Sequence, residues 1–561
     1  MIHLPLRSAL LAFLAMAAMA AMAHGADNEP AYDWILEGGR VVDGTGNAWF
    51  LGDVAVRGDT IARITPAGQL RDASARTRID ASGLVVAPGF IDIQGHSREA
   101  LLSGDSRLIG KVTQGVTTEI LGEGSSNAPS REDSRFDGPR GFDAWLRAME
   151  AHGGSVNFGS FVGSATIRTY AKGMTPGAPT ADELELMKRL VRDAMKDGAF
   201  GLASALIYPP DSFVSTEDLI ALARAMAPYG GVYITHMRSE ADRLLEGIDE
   251  AIRIGHEGGV PVEIYHLKAA GQRNWDKAAA AIARIADARN RGQDVSADMY
   301  PYDAAGTGLT ACLPPWASAN GKLFANLADP QIRAKIREEI LHPTSDWENL
   351  AELSTPEGVM VLGLNKPEHK KYVGKRLSEI AKDHGKDWID TALDLILAER
   401  QRVSTVYFMM SEANVKLQLR QPWIKFGTDA SGHDPAKAKG LTHPRSYGTF
   451  PRILGKYVRE ESVIPLEDAI RKMTSAVANR LSIRDRGLLR EGYRADIVVF
   501  DPATIADRAT FEQPHQNSVG IRSVFVNGVL VVDKGQHTGA KPGRAVRGPG
   551  YVPAPTTAEG R

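Results

Sequence analysis

Cysteine is almost missing: Cys312 is the one thiol in 561 residues, so no intramolecular disulfide can form. A chain of this length can bury enough apolar surface to do without one. Nothing in sequence near Cys312 would hold a thiolate, which makes it a small core residue rather than a nucleophile. An excess of either charge is missing too. The formal net charge is -2, and without a basic stripe there is no electrostatic footprint for nucleic acid. Beyond the N-terminus no apolar run is long enough to cross a bilayer. No G-x-G-x-x-G follows the first strand-like segment of the central region, which removes the dinucleotide fingerprint. What is present, 43% hydrophobic and 24% charged residues, is the balance of a soluble globular protein. The length exceeds one ordinary domain.

The first residues are of another kind. Arg7 precedes the run "SALLAFLAMAAMAAMA", and Ala21 to Ala23 read "AMA". A charged start, an apolar stretch and small residues for cleavage predict a secretory signal over 1–25. The mature chain is then exported, periplasmic or extracellular, and free of the membrane. An N-terminal anchor is the alternative, although the run is short for spanning.

Two textures divide the remainder. "WILEGGRVVDGTG" and "GDVAVRGDTIARITP" near the start, and "ADIVVFDP" and "RSVFVNGVLVVDKGQ" near the end, alternate apolar and polar residues between Gly-Asp and Asn-Gly turns. Neither end can bury a sheet face alone, so 26–88 and 484–548 together predict one small β-sandwich. Residues 89–483 instead alternate short apolar strands with helical patterns. Strand segments are 89–94, 116–121, 157–163, 198–204, 231–236, 261–266, 293–299 and 423–429. Between them lie helices such as the one Thr180 caps in "TADELELMKRLVRDAMKDG". Eight repeats predict an α/β fold, a closed (β/α)8 TIM barrel, with an open doubly wound sheet as the fallback. The stretch 300–422 interrupts the count, either as a lid over the barrel mouth or as a surface insertion. Within it "TVYFMM" (405–410) competes as a strand. The Gly-, Pro- and Ala-rich end from Gly543, and 549–561 above all, predicts a flexible tail.

Barrel chemistry sits at the C-terminal strand ends. Here the strands end at or just before His96, Glu123, His236, His266 and Asp429. Three imidazoles and two carboxylates on one rim suit a borderline cation such as Zn²⁺, with a position left for water. Each residue alone reads more simply as structural; their joint placement predicts a catalytic metal.

In order along the chain come "APGFID", "GVTTEILGEGSSNAP", "GLASALIYPP" and "YITHMRSEADRLLEGIDEAIRIG". "PVEIYHLKAAG", "DMYPYDAAGTGL", "FGTDASGHDP", "HPRSYGTFPRILG" and "GYRADIVVFDP" follow. From about residue 32 to 545 the sequence resembles the amidohydrolase superfamily, and within it the N-acyl-D-amino-acid deacylases, or D-aminoacylases. The resemblance implies a metal-bearing barrel with a β-sandwich, His236 and His266 as metal ligands, and Asp429 as general base and acid. It also implies that Lys268, Arg445 and Tyr300 receive the substrate's α-carboxylate, as an Arg fork and a Lys point charge can. Surface charge for the first two and a core edge for Tyr300 are the plainer readings. His433 and His443 rank next, as partners of the ligands or as direct contacts.

Two positions depart from the family. Gln94-Gly95-His96 replaces a His-x-His, and Gly124 stands where a cysteine ligand is usual. Neither a neutral amide nor a glycine imitates what it replaces. Glu123, one residue earlier, is the natural substitute, with pairing to a basic residue as its alternative. The expectation is one tight Zn²⁺ on Glu123, His236 and His266, a second metal weak or absent, and His96 orienting water or the acyl group. The partner is then a small-molecule amide, with a homo-oligomer open beside a monomer. The expected reaction is cleavage of N-acyl amino acids, D-configured. Other linear or cyclic amides, D-residue peptides, or a non-catalytic binding protein on a degenerate barrel are the alternatives.

Overall fold

The computed structural model describes residues 30–553; the expected signal segment lies outside them. Among the described residues no helix is long and apolar enough to cross a membrane.

Both chain ends build one nine-stranded sheet. Its N-terminal strands run from Tyr32–Val41 to Val85–Pro88, and its C-terminal strands from Ile497–Phe500 to Gln536–His537. The seam is antiparallel, with Val86 opposite Val499. A register shift between Leu36 and Gly39 lets the first strand pair with different neighbours along its length, which bends the sheet around a core of Leu36, Val54, Val86, Ile497 and Phe525. Asn527 and Gly528 both have positive φ in the hairpin joining Ile521–Val526 to Val529–Asp533, as that tight turn requires. A Cβ on Gly528 would also lie 1.9 Å from the Gly58 carbonyl oxygen.

Eight parallel strands form the barrel. They are β1 (Phe90–Asp92), β2 (Val116–Leu121), β3 (Asn157–Ser160, resumed at Val162–Gly163), β4 (Gly201–Ala205), β5 (Val232–His236), β6 (Val262–Ile264), β7 (Val295–Met299) and β8 (Ile424–Phe426). β1 to β3 form one ladder and the resumed β3 to β8 another. Phe161 carries the chain across one gap, and a Gly95–Ala430 bridge spans the other. The strands are buried on both faces, which explains their continuous apolar runs. Outside them the helix Ala181–Asp197 opens on the expected capping box, Thr180 with Glu183, and stops at Gly198 with φ 107°.

The interruption between β7 and β8 is a subdomain. Ala304–Gly308, Ser404–Phe408 and Val359–Val361 form an antiparallel sheet of their own. "TVYFMM" belongs to this sheet, not to the barrel. Leu309, Leu327, Ile336, Leu393 and Tyr407 give the subdomain a separate core. Cys312 is fully buried there, and burial pushes its thiol up to about 12, in keeping with a core role.

From Gly543 to Val552 the chain departs from the flexible tail expected of its composition, while 554–561 lie outside the described residues. Gly543 donates to Gly154, Val546 to Phe158, Gly548 to Gly198 and Val552 to Lys196. Arg547 pairs with Asp143 at 2.8 Å. These bonds to the barrel fix a segment that glycine and proline content alone reads as loose.

Candidate metal centre

Every barrel residue singled out by its strand end reaches one rim. His236 is the last residue of β5. His266 lies two residues beyond β6, turned in by a φ of 33°, and Asp429 lies beyond β8 with φ 48°. Positive φ is uncommon outside glycine, and Asp and His are among the residue types that adopt it more readily. They are held by backbone bonds: Asp298 accepts the His266 N–H at 2.8 Å, and Gln94 accepts the Asp429 N–H at 2.8 Å.

Glu123 is the hub. Its Oε1 is 3.3 Å from His236 Nδ1 and 3.3 Å from His266 Nε2, and those two nitrogens are 2.9 Å apart. A tetrahedral zinc with bonds near 2.0–2.2 Å separates its ligand atoms by about 3.3 Å, so this donor set fits a small borderline cation. On the other side Glu123 Oε2 is 3.2 Å from His96 Nε2, which is 2.8 Å from Asp429 Oδ1. His96, Glu123 and Asp429 thus form a second trio that shares the hub.

The electrostatics follow this crowding. Burial opposes the charge on Glu123, but hydrogen bonds from His236, His266 and His96 hold its carboxyl well below the usual range. Burial works against protonated His96 as well, yet Asp429 and Glu123 lift it to about 9. Burial pushes Asp429 up most strongly, but the Arg445 guanidinium, the His96 hydrogen bond and His266 together leave its carboxyl below the ordinary value.

Gln94 stands beside Glu123: its Nε2 donates to Glu123 Oε2 at 2.6 Å. Gly124 has φ 61°, and a Cβ there would lie 2.7 Å from the Ala205 Cβ, so no side chain can ligate from this position. The carboxylate-binding candidates are present with partners already in place. Arg445 Nη1 is 2.7 Å from Asp429 Oδ2 and its guanidinium lies 4.6 Å from the Tyr300 ring centre. Arg445 Nε is buried without a hydrogen-bond acceptor, while Nη1 is engaged in the ion pair with Asp429. Lys268 Nζ is 2.7 Å from Glu240 Oε2, so it is no surface charge. His443 accepts from the Arg445 N–H at 3.1 Å and bonds the Ala304 carbonyl at 2.9 Å, a positioning role. His433 stays outside the cluster and offers its carbonyl to Gly110.

Sequence reasoning missed Glu240, a fully enclosed carboxylate against Lys268 and His266. Its place four residues after His236 was the available signal. It also missed Asp92, which accepts from Lys111 Nζ at 2.5 Å and from Thr428 at 2.6 Å and 2.8 Å, bracing the residue before Asp429.

Residues 383–532 match the family model described as the amidohydrolase family. A D-aminoacylase of Alcaligenes xylosoxydans xylosoxydans is 36% identical over 533 residues, covering 93% of this chain and 98% of that protein. A solved D-aminoacylase structure, concerned with the functional role of its binuclear metal centre, matches with a TM-score of 0.77 at 35% identity, covering 92% of this chain and 100% of that one. An N-acyl-D-glutamate deacylase from Bordetella bronchiseptica, complexed with zinc and a phosphonate inhibitor, matches with a TM-score of 0.77 at 31% identity, over 92% and 99% of the two chains. Barrel, sandwich and donor cluster together define a metal-dependent amidohydrolase, acting on C–N bonds other than peptide bonds. Within that superfamily the chain belongs to the family of the D-aminoacylases and N-acyl-D-amino-acid deacylases.

Proposed function

We propose that this chain is an exported, zinc-dependent deacylase of N-acyl-D-amino acids. The observation that carries the reading is the convergence of Glu123, His236 and His266 on one point, with Asp429 and the unpartnered Arg445 Nε beside it. Zinc on Glu123, His236 and His266 would supply Lewis-acid polarisation of the amide carbonyl and a more acidic water. Asp429, with Oδ1 on His96 and Oδ2 on Arg445, takes the proton of the attacking water and returns it to the leaving nitrogen. A C–O bond forms as the amide C–N bond breaks, releasing a carboxylic acid and a free amino acid. Arg445, backed by the Tyr300 ring, receives the α-carboxylate through its unpartnered Nε–H.

The D configuration is supported by the substrates named for the relatives. Export is supported by the Arg7, apolar-run and "AMA" pattern. A single tight metal is favoured because Gln94 can donate to Glu123 but adds no imidazole to the second trio. The test joins metal analysis, cell fractionation and a screen of N-acyl amino acids of both configurations, read as released amine. Stoichiometric zinc, D-selective turnover and a roughly 10²–10⁴-fold loss in Asp429→Asn are expected. Turnover of other amides but of no acyl amino acid would overturn the carboxylate clamp.

A further inference from the structure

The second ring nitrogen of His266 is contested. Its Nδ1 is 2.8 Å from Lys268 Nζ and 3.0 Å from Glu240 Oε1. The two rivals are themselves paired, Lys268 Nζ to Glu240 Oε2 at 2.7 Å. A neutral imidazole carries one proton, and its place decides what the opposite nitrogen can do. If Lys268 donates to Nδ1, the ring proton sits on Nε2, the atom facing Glu123 and His236, and no lone pair is left there. If the ring proton sits on Nδ1, it needs an acceptor. An ammonium has no lone pair to offer, whereas Glu240 Oε1 is buried and has no hydrogen-bond partner.

We infer that Glu240 is the positioning residue that makes His266 a metal ligand, by accepting the hydrogen bond of the Nδ1–H against the competition of Lys268. The inference rests on the metal-site reading above. In it the lysine stays an ammonium, the glutamate a carboxylate and the ring neutral; only the tautomer changes. Lys268 keeps its bond to Oε2 while Oε1 serves the ring. The arm that carries Glu240 is held for this task. Glu348, from the subdomain between β7 and β8, accepts the backbone N–H of Glu240 at 2.9 Å and of Ala241 at 2.8 Å. Ala270 donates to the Glu240 carbonyl at 2.8 Å. Lys268, placed by the family resemblance at the substrate carboxylate, then also tunes metal affinity.

The experiment measures zinc affinity by chelator competition on the purified full chain, independent of turnover. Glu240→Ala should weaken zinc about 10–100-fold, the usual cost of losing the partner of a ligating histidine. Adding Lys268→Met to it should recover most of that loss, because the competing donor is gone. A charge-matched pair separates tautomer from simple charge: Glu240→Gln with Lys268→Met keeps an acceptor oxygen and should bind zinc more tightly than Glu240→Ala with Lys268→Met. Equal affinity of that pair, or no rescue by Lys268→Met, overturns the inference, and so does unchanged affinity in Glu240→Ala. A wild-type chain that binds no zinc would instead overturn the metal-site reading. Should Glu240→Ala not fold, the same comparison between wild type, Lys268→Met and the Gln–Met double variant still decides, with tighter zinc expected in Lys268→Met.

Discussion

Arg445 Nη1 lies 2.7 Å from Asp429 Oδ2 in a pocket where both side chains are largely buried. The guanidinium therefore does two things: it offers its unpartnered Nε–H to a substrate, and it helps set the acidity of the proposed base. Burial raises the Asp429 carboxyl most, and Arg445, with His96 and His266, more than offsets that, leaving it below its ordinary value. Removing the guanidinium as Arg445→Met lifts the base. Because the base must be ionised to act, the acid limb of kcat/KM should move to higher pH, and KM for anionic substrates should rise. A limb that stays in place, measured across the acid range, would detach Arg445 from the base.

Gln94 donates at 2.6 Å to the Glu123 oxygen that also faces His96. Gln94→His places an imidazole beside the second trio of His96, Glu123 and Asp429. Metal content by elemental analysis should rise from one zinc per chain toward two. A content unchanged at saturating zinc would mean that position 94 does not face the second site.

Lys111 and Asp92 are both fully buried, and Lys111 also bonds Thr428 Oγ1 at 2.6 Å. Lys111→Met leaves Asp92 and Glu119 without their cation. The expected loss is about 3–5 kcal/mol of stability, read by urea unfolding. Since Thr428 precedes Asp429, activity per folded molecule should fall as well. Wild-type stability in the variant would show the strut to be dispensable.

Chelation should lower the melting temperature, and zinc should restore it in a dose-dependent way. A ligand at a hundred times its Kd stabilises the folded state by about 2.7 kcal/mol. His236→Ala should abolish that response. A melting temperature indifferent to zinc in the wild type would count against a site formed by Glu123, His236 and His266.

Much of this site was legible before any coordinates. β2 coincides with its apolar segment, and the five rim residues follow strands whose β-branched runs mark them. Glu240 is marked in the sequence only by its spacing from His236, because its role exists only where the loop after β5 meets Lys268 beyond β6. Residues 405–410 misled for a related reason: an apolar strand looks the same whether it joins a barrel or a small antiparallel sheet. Asp92 and Lys111 are separated by a helix and a turn, and nothing in their spacing announces a buried pair. The docked segment after Gly543 shows the limit of composition. Its hydrogen bonds are made by backbone groups, which every residue type carries.

The seam between Val85–Pro88 and Ile497–Phe500 has a consequence for how the molecule comes into being. These partners stand roughly four hundred residues apart, a separation that makes their pairing slow and late. While the chain is still growing, the first five strands wait with an open edge and no cover. The barrel can assemble before the last strands are in place, but the sandwich is finished only once they arrive. Whatever protects that edge in the interval decides the yield of active protein.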